Sequence, residues 1–317
     1  MVSRRSRATV AILVLSLGVG VACAARTLSV PGEYASIAAA LDAAAAGDEI
    51  AVAPGIYTEN LVVRIAVAIR GSGPDCTATI LRGATPHLPT AFVFLAASGA
   101  VRFENLTLVT SGLSPCIGVS DSMDGLLAVI DCALTVEQGN AARAIDARGG
   151  VLAVDSSVFR GPNRDLRSHG GSDGVFLGPM ASATLRNCDF AYFTHAIQAQ
   201  GATNLAIEGN RIVYSTSGIT ISNQFYDSTT ARISANQVHG CSVGIVISGA
   251  VTSIMIQGNT ISDSRWAPFR VSAGPCFGAD LGVPFSGTLF GTGNVVPQLD
   301  LLCPDAGSGF WPAGFFE

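Results

Sequence analysis

The chain has 317 residues, 49% of them hydrophobic and only 13% charged, with a mean hydropathy of +0.45. Its 18 basic residues are all arginine and face 23 acids, for a formal net charge of −5. That balance excludes a basic nucleic-acid-binding face, because counterion release needs clustered positive charge. An apolar content this high, without charge blocks, excludes a disordered chain.

The first element runs from Ala8 to Ala25, the one stretch approaching the roughly 20 apolar residues that a membrane-spanning helix needs. It follows Arg4, Arg5 and Arg7 and closes on Ala22-Cys23-Ala24. A basic start, an apolar middle and small residues at a cleavage point describe a secretory signal peptide over 1–24. Its removal takes three arginines and no acid, moving the net charge from −5 to −8. Ordinary secretion, extracellular or periplasmic, is the expected route. Lipoprotein anchoring through Cys23 and twin-arginine export through Ser3, Arg4 and Arg5 are the alternatives. Later apolar residues come in short bursts, so the mature chain has no spanning segment. Eight cysteines suit an oxidising compartment.

Next, Ser36 is placed to cap a helix over about 36–46, with Ile37, Leu41 and Ala44 or Ala45 on one face and Gly47 ending it. Gly55, Tyr57, Glu59 and Asn60 follow as a G-x-Y-x-E-N turn. The segment from Thr27 to Asn60 resembles the opening of right-handed parallel β-helix proteins of the pectin lyase-like superfamily. The resemblance implies that the helix plugs the open end of the coil, and that Gly55, Tyr57 and Glu59 belong to the framework.

From residue 103 onward the sequence repeats. Phe103 and Leu108, Val129 and Leu134, Val154 and Phe159, Leu185 and Phe190, Ile207 and Ile212, Ile233 and Val238, and Ile256 and Ile261 are apolar pairs five residues apart around a small polar turn. The later members are separated by 26, 25, 31, 22, 26 and 23 residues. Second short strands start near Ala144, Gly174, Ala196, Gly218 and Gly244. About 25 residues per repeat is too short for a propeller blade, and the fixed leucine comb of a leucine-rich repeat is absent. The expectation is an all-β, single-stranded right-handed parallel β-helix over 25–317, with the capping helix first, coils over about 48–303 and a tail over 304–317. Asn210, Asn236 and Asn259, each two residues before its landmark, suggest an amide ladder at one turn.

The chemistry is sparser. The strings by which pectinesterases are recognised are absent, and so is the adjacent aspartate pair of polygalacturonases. Arg265, Pro268 and Arg270 nearly match the pectate lyase pattern, with the proline one position late. The longest repeat carries a polar insertion with Arg160, Asn163, Arg164, Asp165, Arg167, His169 and Asp173, where arginine forks suit uronate carboxylates or sulfated sugars. The alternative is a solvated loop whose arginines pair with Asp165 and Asp173. Tyr192 and Tyr214 both lie two residues past their landmarks, so they are expected to stack on adjacent coils about 5 Å apart and offer a platform to sugar rings. His195 and His239 without further ligands give weak metal evidence, and no metal or other cofactor is expected. Cys132 and Cys188 share a repeat position two coils apart, too far to bridge. Cys276 and Cys303, about one coil apart, are the disulfide candidate.

These readings lead to a secreted, monomeric β-helix protein that binds an extracellular polysaccharide and lacks the superfamily's established catalytic motifs. One alternative is a lyase or hydrolase whose site uses Arg164, Arg167 and His169, or Arg265 and Arg270. A purely structural or adhesive solenoid is the other.

Overall fold

A strand of three to five residues that alternates apolar and polar side chains buries one face only, and stacking such strands coil on coil turns the buried faces into columns. The computed structural model describes residues 24–95, 98–138, 142–163, 171–223, 229–271 and 286–296. It contains one short helix and parallel strands arranged in a seventeen-stranded and a nine-stranded sheet. The landmarks read from the sequence pair in register. Phe103 lies beside Val129, followed by Val154, Leu185, Ile207, Ile233 and Ile256. In the nine-stranded sheet Leu108 is followed by Leu134, Phe159, Phe190, Ile212, Val238 and Ile261. A third column runs from Ile117 through Ile145, Val175, Ile197, Ile219 and Ile245 to Phe269. All three columns belong to one continuous core, and each buried Leu, Ile or Phe contributes about 1.5–3 kcal/mol.

One corner repeats on the eight coils from Asn105 onward. Asn105, Asp131, Ser156, Asn187 and Ala235 have φ between 51° and 56°, and Gly209, Gly258 and Gly293 have φ between 62° and 67°. This left-handed residue reverses the chain between the two sheets, so the side chain after it turns inward. Asn210, Asn236, Asn259 and Asn294 are the inward residues of four successive coils, and all are buried. The Asn210 amide donates to Oδ1 of Asn236 at 3.0 Å, Asn236 to Asn259 at 2.9 Å and Asn259 to Asn294 at 3.0 Å. Each amide also donates to a main-chain carbonyl, Leu185, Ile207, Ile233 and Ile256 respectively. On earlier coils Cys132, Ser157 and Cys188 hold the same place. Burial pushes both thiols up to about 12, so they act as apolar filler rather than as nucleophiles.

The solenoid begins before the helix. Thr27–Val30 pairs with Glu49–Val52, so the first coil starts some twenty residues earlier than position 48. Leu28 and Val30 already alternate inward and bury completely enough to join the core. The helix spans Ile37–Ala43, capped by Ser36, which accepts from Ala39 N–H at 3.1 Å. It ends earlier than the expected Ala46 because Asp48 draws the chain away, accepting from Ala45 N–H at 2.8 Å. Glu59 of the G-x-Y-x-E-N turn accepts from Ile37 and Ala38 N–H at 3.1 and 2.9 Å, which explains its place in the framework. Arg26 donates to Asp48 through its side chain and its main-chain N–H, tying the first strand to the helix exit. Among the described residues no helix is long and apolar enough to cross a membrane.

Two stability measurements check the corner. Ala235 pays the left-handed cost of about 1–2 kcal/mol that glycine avoids, so Ala235→Gly raises the unfolding free energy by about 1 kcal/mol. Asn236→Ala lowers it by about 2–3 kcal/mol, because its ladder partners are left buried and unpaired. The cap is checked by pH. Hydrogen bonds from the Arg26 side chain, Ala45 N–H and Arg26 N–H hold the Asp48 carboxyl down at about 2. A depressed carboxylate stabilises the fold above its unfolded value of about 3.9 and loses that contribution as pH falls. The melting-temperature gap between wild type and Asp48→Ala is therefore constant above pH 5 and narrows from about pH 4 towards 2.

Candidate functional site

Two outward-facing regions meet at the corner that follows the nine-stranded sheet. The first holds the tyrosines. Tyr192 and Tyr214 occupy the same place on adjacent coils and both have left-handed φ, 69° and 50°. The equivalent residues of the next two coils, Gly240 and Asp263, are also left-handed, at 65° and 53°, so this is a second regular corner at which two coils carry a tyrosine where glycine would avoid the strain. Their rings stack 6.0 Å apart at an interplanar angle of 12°. The expected flat platform is thus a face-to-face pair, with the inner ring faces turned towards each other. On the far side of Tyr214, Gly240 backs the ring and His239 meets it edge-on at 5.7 Å. On the near side of Tyr192 the preceding coil carries Gly161, which has no side chain to cover the ring. A groove of about 730 Å³ opens there, lined by Glu137, Arg160, Gly161, Pro162 and Tyr192 among others. At its edge Glu137 is held by a two-pronged pair with Arg82 at 2.7 and 2.9 Å. Arg160 donates to the main-chain oxygen of Phe159 at 3.1 Å.

Asn163 is buried at the corner itself. Its amide donates to Ser172 Oγ at 3.1 Å and Thr194 Oγ1 at 2.8 Å, and its N–H donates to Tyr192 O. It positions the turn that carries Tyr192 instead of facing outward to a ligand.

The second region lies on the outer face of the seventeen-stranded sheet. Arg143, Asp173, His195 and Ser217 form one register column on four successive coils. Each is followed by a small residue and an inward apolar one: Ala144 and Ile145, Gly174 and Val175, Ala196 and Ile197, Gly218 and Ile219. A Cβ on Gly174 or Gly218 would meet the carbonyl of the next coil at 2.4 or 2.5 Å, so the bend needs glycine there. The bend also brings residues three apart onto one face. Arg143 donates to Asp146 at 2.9 Å and to Asp173 at 3.0 Å, and lies 3.6 Å over the Phe176 ring. Asp173 is buried, yet its other oxygen meets Nδ1 of His195 at 2.9 Å. In the orientation its neighbours demand, the Gln198 amide donates to both Asp173 oxygens at 3.2 and 3.1 Å.

Asp173, expected as a loop ligand, therefore sits at the centre of a sheet-borne cluster, and its arginine partner comes from the preceding coil. The sequence pattern alone does not group Arg143, Asp146, His195 and Gln198 with it. Arg265 is exposed, and Arg270 is three coils beyond Gln198 in its column, so neither joins the cluster. Burial lowers the Arg270 guanidinium from its ordinary value. Arg164, Asp165, Arg167, His169, Cys276 and Cys303 lie outside the described residues. Among the described residues no group of three His, Cys, Asp or Glu side chains is placed to hold a metal ion.

Residues 91–269 match the family described as a right-handed beta helix region, and the chain belongs to that family. Among solved structures it is similar to the pectate lyase Pel9A, at 12% identity and a TM-score of 0.53 over 85% of this chain and 78% of that one. It is also similar to the pectin methylesterase PemA from Erwinia chrysanthemi, at 13% identity and a TM-score of 0.45 over 87% and 91% of the two chains. At such identities the likeness is one of fold. No curated protein matches the sequence.

Proposed function

We propose that the protein is exported and binds a polysaccharide outside the cell, seating one sugar ring on the open face of Tyr192. The observation that carries this reading is the Tyr192 ring, whose outer face borders a groove of about 730 Å³. A sugar ring presents axial C–H groups that pack on an aromatic face, and Arg160 beside it suits a carboxylate or sulfate substituent. Export is supported by Arg4, Arg5 and Arg7 ahead of an apolar run that ends at Ala22-Cys23-Ala24. The catalytic strings of pectinesterases, polygalacturonases and pectate lyases are missing from the sequence, so binding does not bring their reactions with it. The fold's likeness to a pectate lyase agrees with a glycan ligand without specifying which one.

The test is retention of the mature protein on a panel of acidic and neutral polysaccharides. Tyr192→Ala is expected to weaken binding by about five- to tenfold on every polymer retained, as one aromatic contact is worth about 0.5–1.5 kcal/mol. Arg160→Ala is expected to weaken binding to the acidic polymers only. Retention unchanged by both substitutions would remove the groove from the account.

A further inference from the structure

We propose that Asp173, His195 and Ser217 form an acyl-transfer centre that hydrolyses ester substituents on the polysaccharide, a reading that rests on the glycan site beside Tyr192. The three residues stand at one outward position on three successive coils, in the order Asp, His, Ser. Neighbouring coils are about 4.8 Å apart, which brings each side chain within reach of the next. Asp173 holds Nδ1 of His195 at 2.9 Å and is itself held by Arg143. A carboxylate only accepts, so Nδ1 donates to it, and in the neutral ring that leaves the lone pair on Nε2. The two ring nitrogens diverge, which turns Nε2 away from Asp173, and Ser217 stands in the same column on the next coil. Ser217 is partly exposed.

A second observation points to a ligand at this place. Thr220 lies three residues beyond Ser217, in register with Gln198. Its hydroxyl is buried and has no hydrogen-bond partner among the described residues. A buried unpaired hydroxyl is costly. Across the same bend three coils earlier, Arg143 and Asp146 touch directly, so Ser217 and Thr220 share a face. The Thr220 O–H is thus placed to donate to a developing oxyanion above Ser217. His195 follows Tyr192 by three residues, a span of at most about 10 Å, so a sugar seated on Tyr192 carries its substituents to the column.

In the reaction His195 Nε2 takes the Ser217 proton as Oγ bonds to the ester carbonyl carbon. The carbonyl electrons move to the oxygen facing Thr220. On collapse the bond to the sugar oxygen breaks, and that oxygen takes the proton from the imidazolium. Water then attacks the acyl-serine, giving one proton to His195. The acyl–Oγ bond breaks, the proton returns to Ser217, and the carboxylic acid leaves.

The experiment uses the full mature chain with p-nitrophenyl acetate and with an acetylated polysaccharide, and includes a fluorophosphonate probe mapped by mass spectrometry. Wild type is expected to release acetate from both substrates and to take the label on Ser217. Ser217→Ala and His195→Ala are expected to lose at least 100-fold in kcat and to abolish labelling while keeping polysaccharide retention. Thr220→Val is expected to lower kcat tenfold or more with KM unchanged. Acetate release that survives Ser217→Ala, or a wild type that retains polysaccharide but hydrolyses neither ester, overturns the centre and leaves the binding reading standing. Ser217-dependent hydrolysis of p-nitrophenyl acetate with no retention on any polymer overturns the binding reading and keeps the centre.

Discussion

The left-handed residue at the corner between the two sheets, with the side chain it turns inward, is the constraint on which the other features depend. Parallel main-chain hydrogen bonds hold neighbouring coils about 4.8 Å apart but do not by themselves stop a coil from sliding along its strand. The corner does. With Asn105, Asp131, Ser156, Asn187, Gly209, Ala235, Gly258 and Gly293 all left-handed at one place, each coil from Asn105 onward leaves the corner in the same phase. The amide ladder from Asn210 to Asn294 then links coils through side chains that cannot shift without leaving buried donors unpaired. Loops of different length between corners are absorbed elsewhere on the coil.

Fixed phase turns sequence-distant residues into neighbours. Asp173 and His195 are 22 residues apart yet meet at 2.9 Å, and Arg143, 30 residues before Asp173, closes on it from the other side. In a chain so poor in charge, a buried aspartate with arginine, histidine and amide partners is an expensive arrangement, since a buried carboxylate is tolerated only when it is paired. The tyrosine groove and this column occupy adjoining faces of one corner, pinned by Asn163.

Much of this architecture was legible in the sequence, because a β-helix writes its core at a regular interval. The apolar landmarks pair as their spacing implies, the asparagines form the expected ladder, and Tyr192 and Tyr214 stack. Three things were harder to read. The Asp48 carboxylate ends the helix early, a contact between residues whose roles in the pattern look unrelated. Thr27–Val30 precedes the helix and so falls outside any count of coils that begins after it. The column of Arg143, Asp173, His195 and Ser217 was hidden because the repeats around it differ in length, so counting from the landmarks does not align it. The signal was nevertheless present: each of the four stands directly before a small residue and a β-branched one. The second-strand starts at Ala144, Gly174, Ala196 and Gly218 already mark that bend, and the residue before each start is the column.

The most direct test of the account is the structure of the protein with an oligosaccharide cut from whichever polymer retains it. The account predicts a sugar ring against the outer face of Tyr192, with a substituent directed over the corner towards His195 and Ser217. An oligosaccharide bound on another face of the solenoid, with Tyr192 and the Asp173 column untouched, would contradict it.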